Sequence, residues 1–139
     1  MDVQDRLEIL DLHHRYAHTY DEGHLDGLGV LFAEEATFEF RPAIGGFPDL
    51  LEGRDDIVHH MRERHAATRP AQRRHVITNL IVDDQSAASA RTACYLLLGS
   101  TADDQLSLPV AGRYEDELVK RDGRWCFLSR ILTLDARHG

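Results

Sequence analysis

Two polar residues stand where the hydropathy pattern calls for apolar ones, and their types make an acid–base pair. Asp21 falls within the apolar arc of an N-terminal helical segment, and His75 shares a strand face with Ile77, Asn79 and Ile81. A carboxylate accepting one ring N–H of a buried imidazole holds its tautomer and raises the basicity of the other nitrogen, making a general base. Tyr16 on the same helix and Tyr114 on a later strand also point inward by periodicity. Tyrosine hydroxyls in an apolar pocket can donate to a carbonyl or enolate oxygen as charge develops. These parts suit removal of a proton next to a carbonyl, then elimination, isomerisation or ring closure, with no metal or organic cofactor required. Each has an ordinary structural alternative: a helix-end carboxylate as a cap, a strand histidine as a satisfied core group, Tyr16 and Tyr20 as core aromatics. Arg130, alternating with Cys126, Leu128, Leu132 and Leu134, needs a partner inside an apolar face, and Asp116 is the inward candidate.

The elements that must position these groups follow from periodicity. Asp2 is a candidate N-cap for a helix running to about Tyr20, with Val3, Leu7, Ile9, Leu10, Leu12, Tyr16, Ala17 and Tyr20 on one arc. A short helix is expected over Leu25–Phe32 and a first strand over Thr37–Phe40. The loop from Pro42 to Gly53 carries glycine hinges together with Ile44 and Phe47, the composition of a lid over a pocket. A third helix starts at Asp55 or Asp56 and ends before Pro70. Strands are expected at about 74–83, 87–101, 106–120 and 124–135, separated by turn signals at Asp83-Asp84, Asp103-Asp104 and Asp122-Gly123. Helices followed by a meander of long strands imply an α+β fold, a curved sheet wrapped around the N-terminal helix, in one domain over 1–139.

Composition narrows the partners. The net charge is −8, and the only basic cluster is Arg69, Arg73 and Arg74, which opposes nucleic-acid binding. No segment reaches the roughly 18 apolar residues of a membrane span. The N-terminus opens on a charged amphipathic pattern rather than a signal peptide, and Cys94 and Cys126 lie in apolar runs without CxxC spacing. Buried free thiols and a cytoplasmic location are the expectation. His14 and His18 have the i, i+4 spacing of a metal pair, but no second ligand cluster accompanies them.

Three segments carry a resemblance over essentially the whole chain. Arg15-Tyr16-Ala17-His18-Thr19-Tyr20-Asp21, Arg74-His75-Val76-Ile77-Thr78-Asn79, and Gly112-Arg113-Tyr114-Glu115-Asp116 with Asp122-Gly123-Arg124-Trp125 resemble the SnoaL-like branch of the NTF2-like superfamily. The resemblance implies a cone-shaped α+β barrel and a homodimer through the sheet. Members such as scytalone dehydratase, the bile-acid 7α-dehydratase and the hexachlorocyclohexane dehydrochlorinase use a pocket Asp and His for elimination. Asp21 and His75 match that pair. Tyr16 matches the catalytic tyrosine of the bile-acid enzyme, and Tyr20 the tyrosine of scytalone dehydratase. Tyr114 matches a ligand-contacting position, and Arg130 an arginine of the dehydrochlorinase. The strand Cys94–Ser100 lacks the histidine or aspartate that two of these enzymes carry there. The implied function is a cofactor-independent lyase, isomerase or cyclase on a hydrophobic, carbonyl-bearing small molecule. Asp21, His75, Tyr16 and Tyr114 would be catalytic, with Tyr20, Asn79, Arg130 and Phe47 binding substrate. The same fold also serves as a non-catalytic ligand carrier and as the small subunit of ring-hydroxylating oxygenases, which keeps both as alternatives.

Overall fold

The amphipathic opening segment forms helix α1 (Val3–Asp21) in the computed structural model, which describes residues 1–83 and 86–137. Asp2 caps it, accepting the Asp5 N–H at 2.8 Å, an arrangement worth about 1 kcal/mol. Ile9, Leu12, Tyr16, Ala17 and Tyr20 are buried as expected, but Val3 and Leu7 are 72% and 55% exposed. The inward stripe passes through Asp5 instead, whose carboxylate accepts from Trp125 Nε1 at 2.9 Å and Lys120 Nζ at 3.0 Å.

Helix α2 is shorter than expected, Leu25–Gly29, and the first strand longer, β1 (Phe32–Arg41). Its pairing with the last strand shifts register between Phe32 and Thr37, leaving Glu34 and Glu35 both exposed. That irregularity breaks the two-residue alternation on which the sequence reading relied. The expected loop contains a short strand, β2 (Leu50–Glu52), which sets Leu51 opposite Phe38. Helix α3 (Arg54–Thr68) follows, burying Ile57 and Met61.

Four long strands complete the chain: β3 (Gln72–Asp83), β4 (Ser89–Ala102), β5 (Gln105–Arg121) and β6 (Arg124–Arg137). Asp122 and Gly123 both take positive φ (51° and 76°) at the tight β5–β6 turn, as do Asp103 and Asp104 at β4–β5. Of the Asp83-Asp84 signal, Asp84 lies outside the described residues. The strands form one sheet in the order β2-β1-β6-β5-β4-β3, antiparallel except where β1 runs alongside β6. Register shifts in the β3–β4, β4–β5 and β5–β6 pairs let the long strands bend. At one of them a Cβ on Gly112 would stand 2.5 Å from the Thr133 carbonyl oxygen, so that crossing needs glycine. The sheet wraps α1, which packs on β3 and β6, while α3 packs on β1 and α2. The result is the expected α+β architecture. No described helix is long and apolar enough to cross a membrane. Cys94 and Cys126 are both free and buried.

Candidate active site

β3 is an edge strand, hydrogen-bonded only to β4, so its other side has backbone groups to satisfy. The C-terminal end of α1 does this. Gln72 Nε2 donates to the Asp21 carbonyl at 3.3 Å, and the His75 backbone N–H donates to Asp21 Oδ2 at 2.9 Å. The second oxygen of Asp21 accepts the His75 Nδ1–H at 2.5 Å, with both side chains buried. This fixes the tautomer and leaves Nε2 as the ring nitrogen available to the cavity that His75 lines. Burial lowers the His75 pKa; Asp21 opposes that shift, and the charges of Arg73 and Arg130 add to it.

A cavity inside the cone is lined by Tyr16, Tyr20, His75, Tyr114 and Arg73 among otherwise largely apolar walls. Tyr20 stacks on His75 (ring centroids 4.8 Å apart, planes 25° apart), and Arg73 lies over the Tyr20 ring at 4.9 Å. Tyr16 meets His75 edge-on at 6.1 Å and interacts with Tyr114 through their hydroxyls. Burial raises both phenol pKa values, so they remain protonated donors at neutral pH. Phe47, Pro48 and Ile44 line an adjoining space that shares Tyr20, Phe40 and Arg64 with the inner cavity. A broad groove lies outside the barrel between α1, α2 and the β5–β6 turn, and the Asp21–His75 pair is not on it.

Arg130 is placed differently from the expectation of a substrate contact. It is fully buried beneath the cavity, its Cζ 3.6 Å from the Tyr114 ring centroid, 4.3 Å from Tyr16 and 4.4 Å from Phe127. Its Nε stands 3.0 Å from Asp116 Oδ1, a close charge contact whose N–H is not aimed at the oxygen. This is the ion-pair alternative that the strand pattern left open. Asn79 is also displaced: it adopts φ 57° at the β3 register shift and is exposed, so it leaves the face that carries His75. Alternation holds only as far as the bulge.

Pattern reading missed two features. Arg73 points inward two residues before His75, a position legible by alternation had the strand been started one turn of the pleat earlier. The other is a buried polar cluster under the tyrosines. His13 Nε2–H donates to Thr92 Oγ1 at 3.1 Å, and the Thr92 hydroxyl donates to Asp116 Oδ2 at 3.3 Å. His13 Nδ1 then accepts from Arg130 Nη2 at 3.4 Å and faces Cys94 Sγ at 3.8 Å. Burial lowers the His13 pKa well below its usual value, raises Asp116 to about 6 and raises Cys94 to about 11. His13, Cys94 and Asp116 bring ligand atoms within 4.8 Å of one another, the spacing of a metal site. The Arg130 guanidinium, in contact with all three, already supplies the positive charge such a site would seek. His14 and His18 are exposed on α1.

Residues 1–131 match the SnoaL-like domain family. The Mycobacterium tuberculosis protein named uncharacterized protein Rv2910c is 27% identical over 133 residues, 95% of this chain and 86% of its own. A solved structure from Catenulispora acidiphila in complex with S-DNPA is 28% identical, with TM-score 0.82 and 96% of both chains covered. An NTF2-like protein with a cystatin-like fold from Novosphingobium aromaticivorans superposes with TM-score 0.84 at 19% identity, over 96% of this chain and 83% of its own. This protein belongs to the SnoaL-like domain family and has the NTF2-like, cystatin-like fold.

Proposed function

We propose that this protein is a cofactor-independent lyase, isomerase or cyclase that abstracts a proton next to the carbonyl of a hydrophobic small molecule. The observation that carries the reading is the buried Asp21–His75 contact, which leaves Nε2 as the uncommitted ring nitrogen of a histidine that lines a largely apolar cavity. His75 takes the proton from carbon as the C–H electron pair moves into the enolate. Asp21 stabilises the imidazolium that forms, and the Tyr16 and Tyr114 hydroxyls donate to the enolate oxygen. Collapse of the enolate then expels a β-leaving group, takes the proton back at another carbon, or attacks a second carbonyl. Phe47 and its loop exclude water from the reacting end. The complex of the Catenulispora acidiphila relative with S-DNPA supports small-molecule binding by this fold.

A second proposal concerns assembly. Val76 and Leu97 face each other across β3–β4 on the outer side of the sheet, at 44% and 43% exposure, with Tyr95 exposed beside them. This apolar face suits a homodimer through the sheet.

The catalytic reading is tested with a panel of β-hydroxy ketones and cyclic enones in deuterated water. Conversion or α-deuteration by wild type that falls by orders of magnitude in Asp21→Asn and His75→Ala is the expected result. Variants as active as wild type would remove the pair from the mechanism.

A further inference from the structure

The cavity contains a charge that the proposed chemistry does not use. Arg73 is 7% exposed, lies on the same inward face as His75, and lines the cavity. Among the described residues no carboxylate is within ion-pair distance of it; its guanidinium lies over the Tyr20 ring, and its charge also bears on the imidazoles of His65 and His75. The nearby carboxylate of Asp21 has both oxygens committed to His75. A buried guanidinium with no carboxylate in direct contact is costly, and it presents five N–H donors in a fork matched to a planar anion. Arg64 lines both the cavity and its outer space and lies over Phe47 at 5.1 Å. Two arginines therefore line the cavity in a chain whose net charge is −8. An anion would be drawn here by local charges and not by the protein's overall field.

We propose that the substrate is an organic acid, and that its carboxylate docks on the Arg73 guanidinium while its enolisable carbon meets His75. The proposal rests on the catalytic reading above and narrows its substrate class to keto or enone acids. Arg73 and His75 are two residues apart, roughly 7 Å along the strand. The carboxylate and the acidic C–H are then separated by several bonds, as in an acid side chain carried on an aromatic or cyclic ketone. The carboxylate would complete Arg73's charge pairing and orient the ring against Tyr20. Positioning by a forked charge contact of this kind brings the reacting carbon to the base.

The test uses an isosteric pair of inert probes, 2-naphthylacetate and 2-naphthylacetamide, titrated into the protein by calorimetry and followed by amide NMR. Wild type is expected to bind the acid about tenfold or more tightly than the amide, the range of a charge-assisted contact. Arg73→Gln is expected to lose that preference while still binding the amide, and Arg73→Lys to retain part of it. Equal binding of the two probes by wild type overturns the proposal, as does absence of saturable binding of the acid. A preference that survives in folded Arg73→Gln overturns it too. The wild-type comparison decides by itself if that variant does not fold. His75→Ala is expected to keep the acid preference while abolishing turnover, so failure of anion recognition and failure of the proton-transfer reading give different results.

Discussion

Asp21 holds His75 at two points at once, one oxygen on Nδ1 at 2.5 Å and the other on the backbone N–H at 2.9 Å. The carboxylate therefore fixes the ring's tautomer and the strand that carries it with a single side chain. Asp21→Asn separates those roles. Asparagine's oxygen still accepts the backbone N–H, but its NH2 faces Nδ1 and drives the ring proton onto Nε2, which silences the base. Turnover is expected to fall about 10³- to 10⁴-fold, by analogy with the orienting carboxylate of serine proteases, with little change in the melting midpoint. The ring's 15N shifts would report the tautomer directly.

A second expectation concerns activity and pH. Burial holds His75 below its usual value of 6.5, so the neutral base is the majority form at neutral pH and persists into mildly acidic solution. The acid limb of the kcat/KM profile should fall below pH 6.5, with one proton taken up. A limb above that value would mean that Asp21 outweighs burial.

Stability should depend on His13 in the same pH region. Its folded pKa lies well below 6.5, so as pH falls below that value the unfolded chain binds a proton that the folded chain refuses. Stability is lost as pH falls, by up to about 1.4 kcal/mol per pH unit. Asp116, raised to about 6, acts with the opposite sign below that pH. The comparison of interest is therefore wild type against His13→Gln in urea titrations between pH 7 and 5, where the variant should show the shallower loss.

Arg130 and Asp116 are expected to behave as a buried pair. Arg130→Met leaves Asp116 buried without its counter-charge and should cost about 3–5 kcal/mol. Adding Asp116→Leu should recover much of that loss, because the orphaned charge is gone. A double-mutant cycle by chemical denaturation measures the coupling, and additivity would show that the 3.0 Å contact contributes nothing specific.

Much of the architecture was legible along the chain because its signals are local. The Asp2 cap, the Asp122-Gly123 turn with both residues at positive φ, and the alternation that turns Tyr114 and Asp116 inward each depend on a few neighbouring residues. The reading faltered where pairing breaks alternation. The bulge after Thr78 turned Asn79 outward, and the irregularity after Phe32 hid the start of β1.

The sequence by itself determined the element types, the α+β class and the inward side of most strands, because period and turn chemistry are properties of short segments. Residue types and resemblance also nominated Asp21 and His75. Only the tertiary structure decided that β3 is an edge strand, which is why its backbone needs Asp21. It alone sank Arg130 beneath the tyrosines, on the Asp116 partner that the strand pattern had offered, and left Arg73 in the cavity with no carboxylate within ion-pair distance among the described residues. Those outcomes depend on which groups from different elements share one dry volume, and charge pairing there is settled by three-dimensional distance.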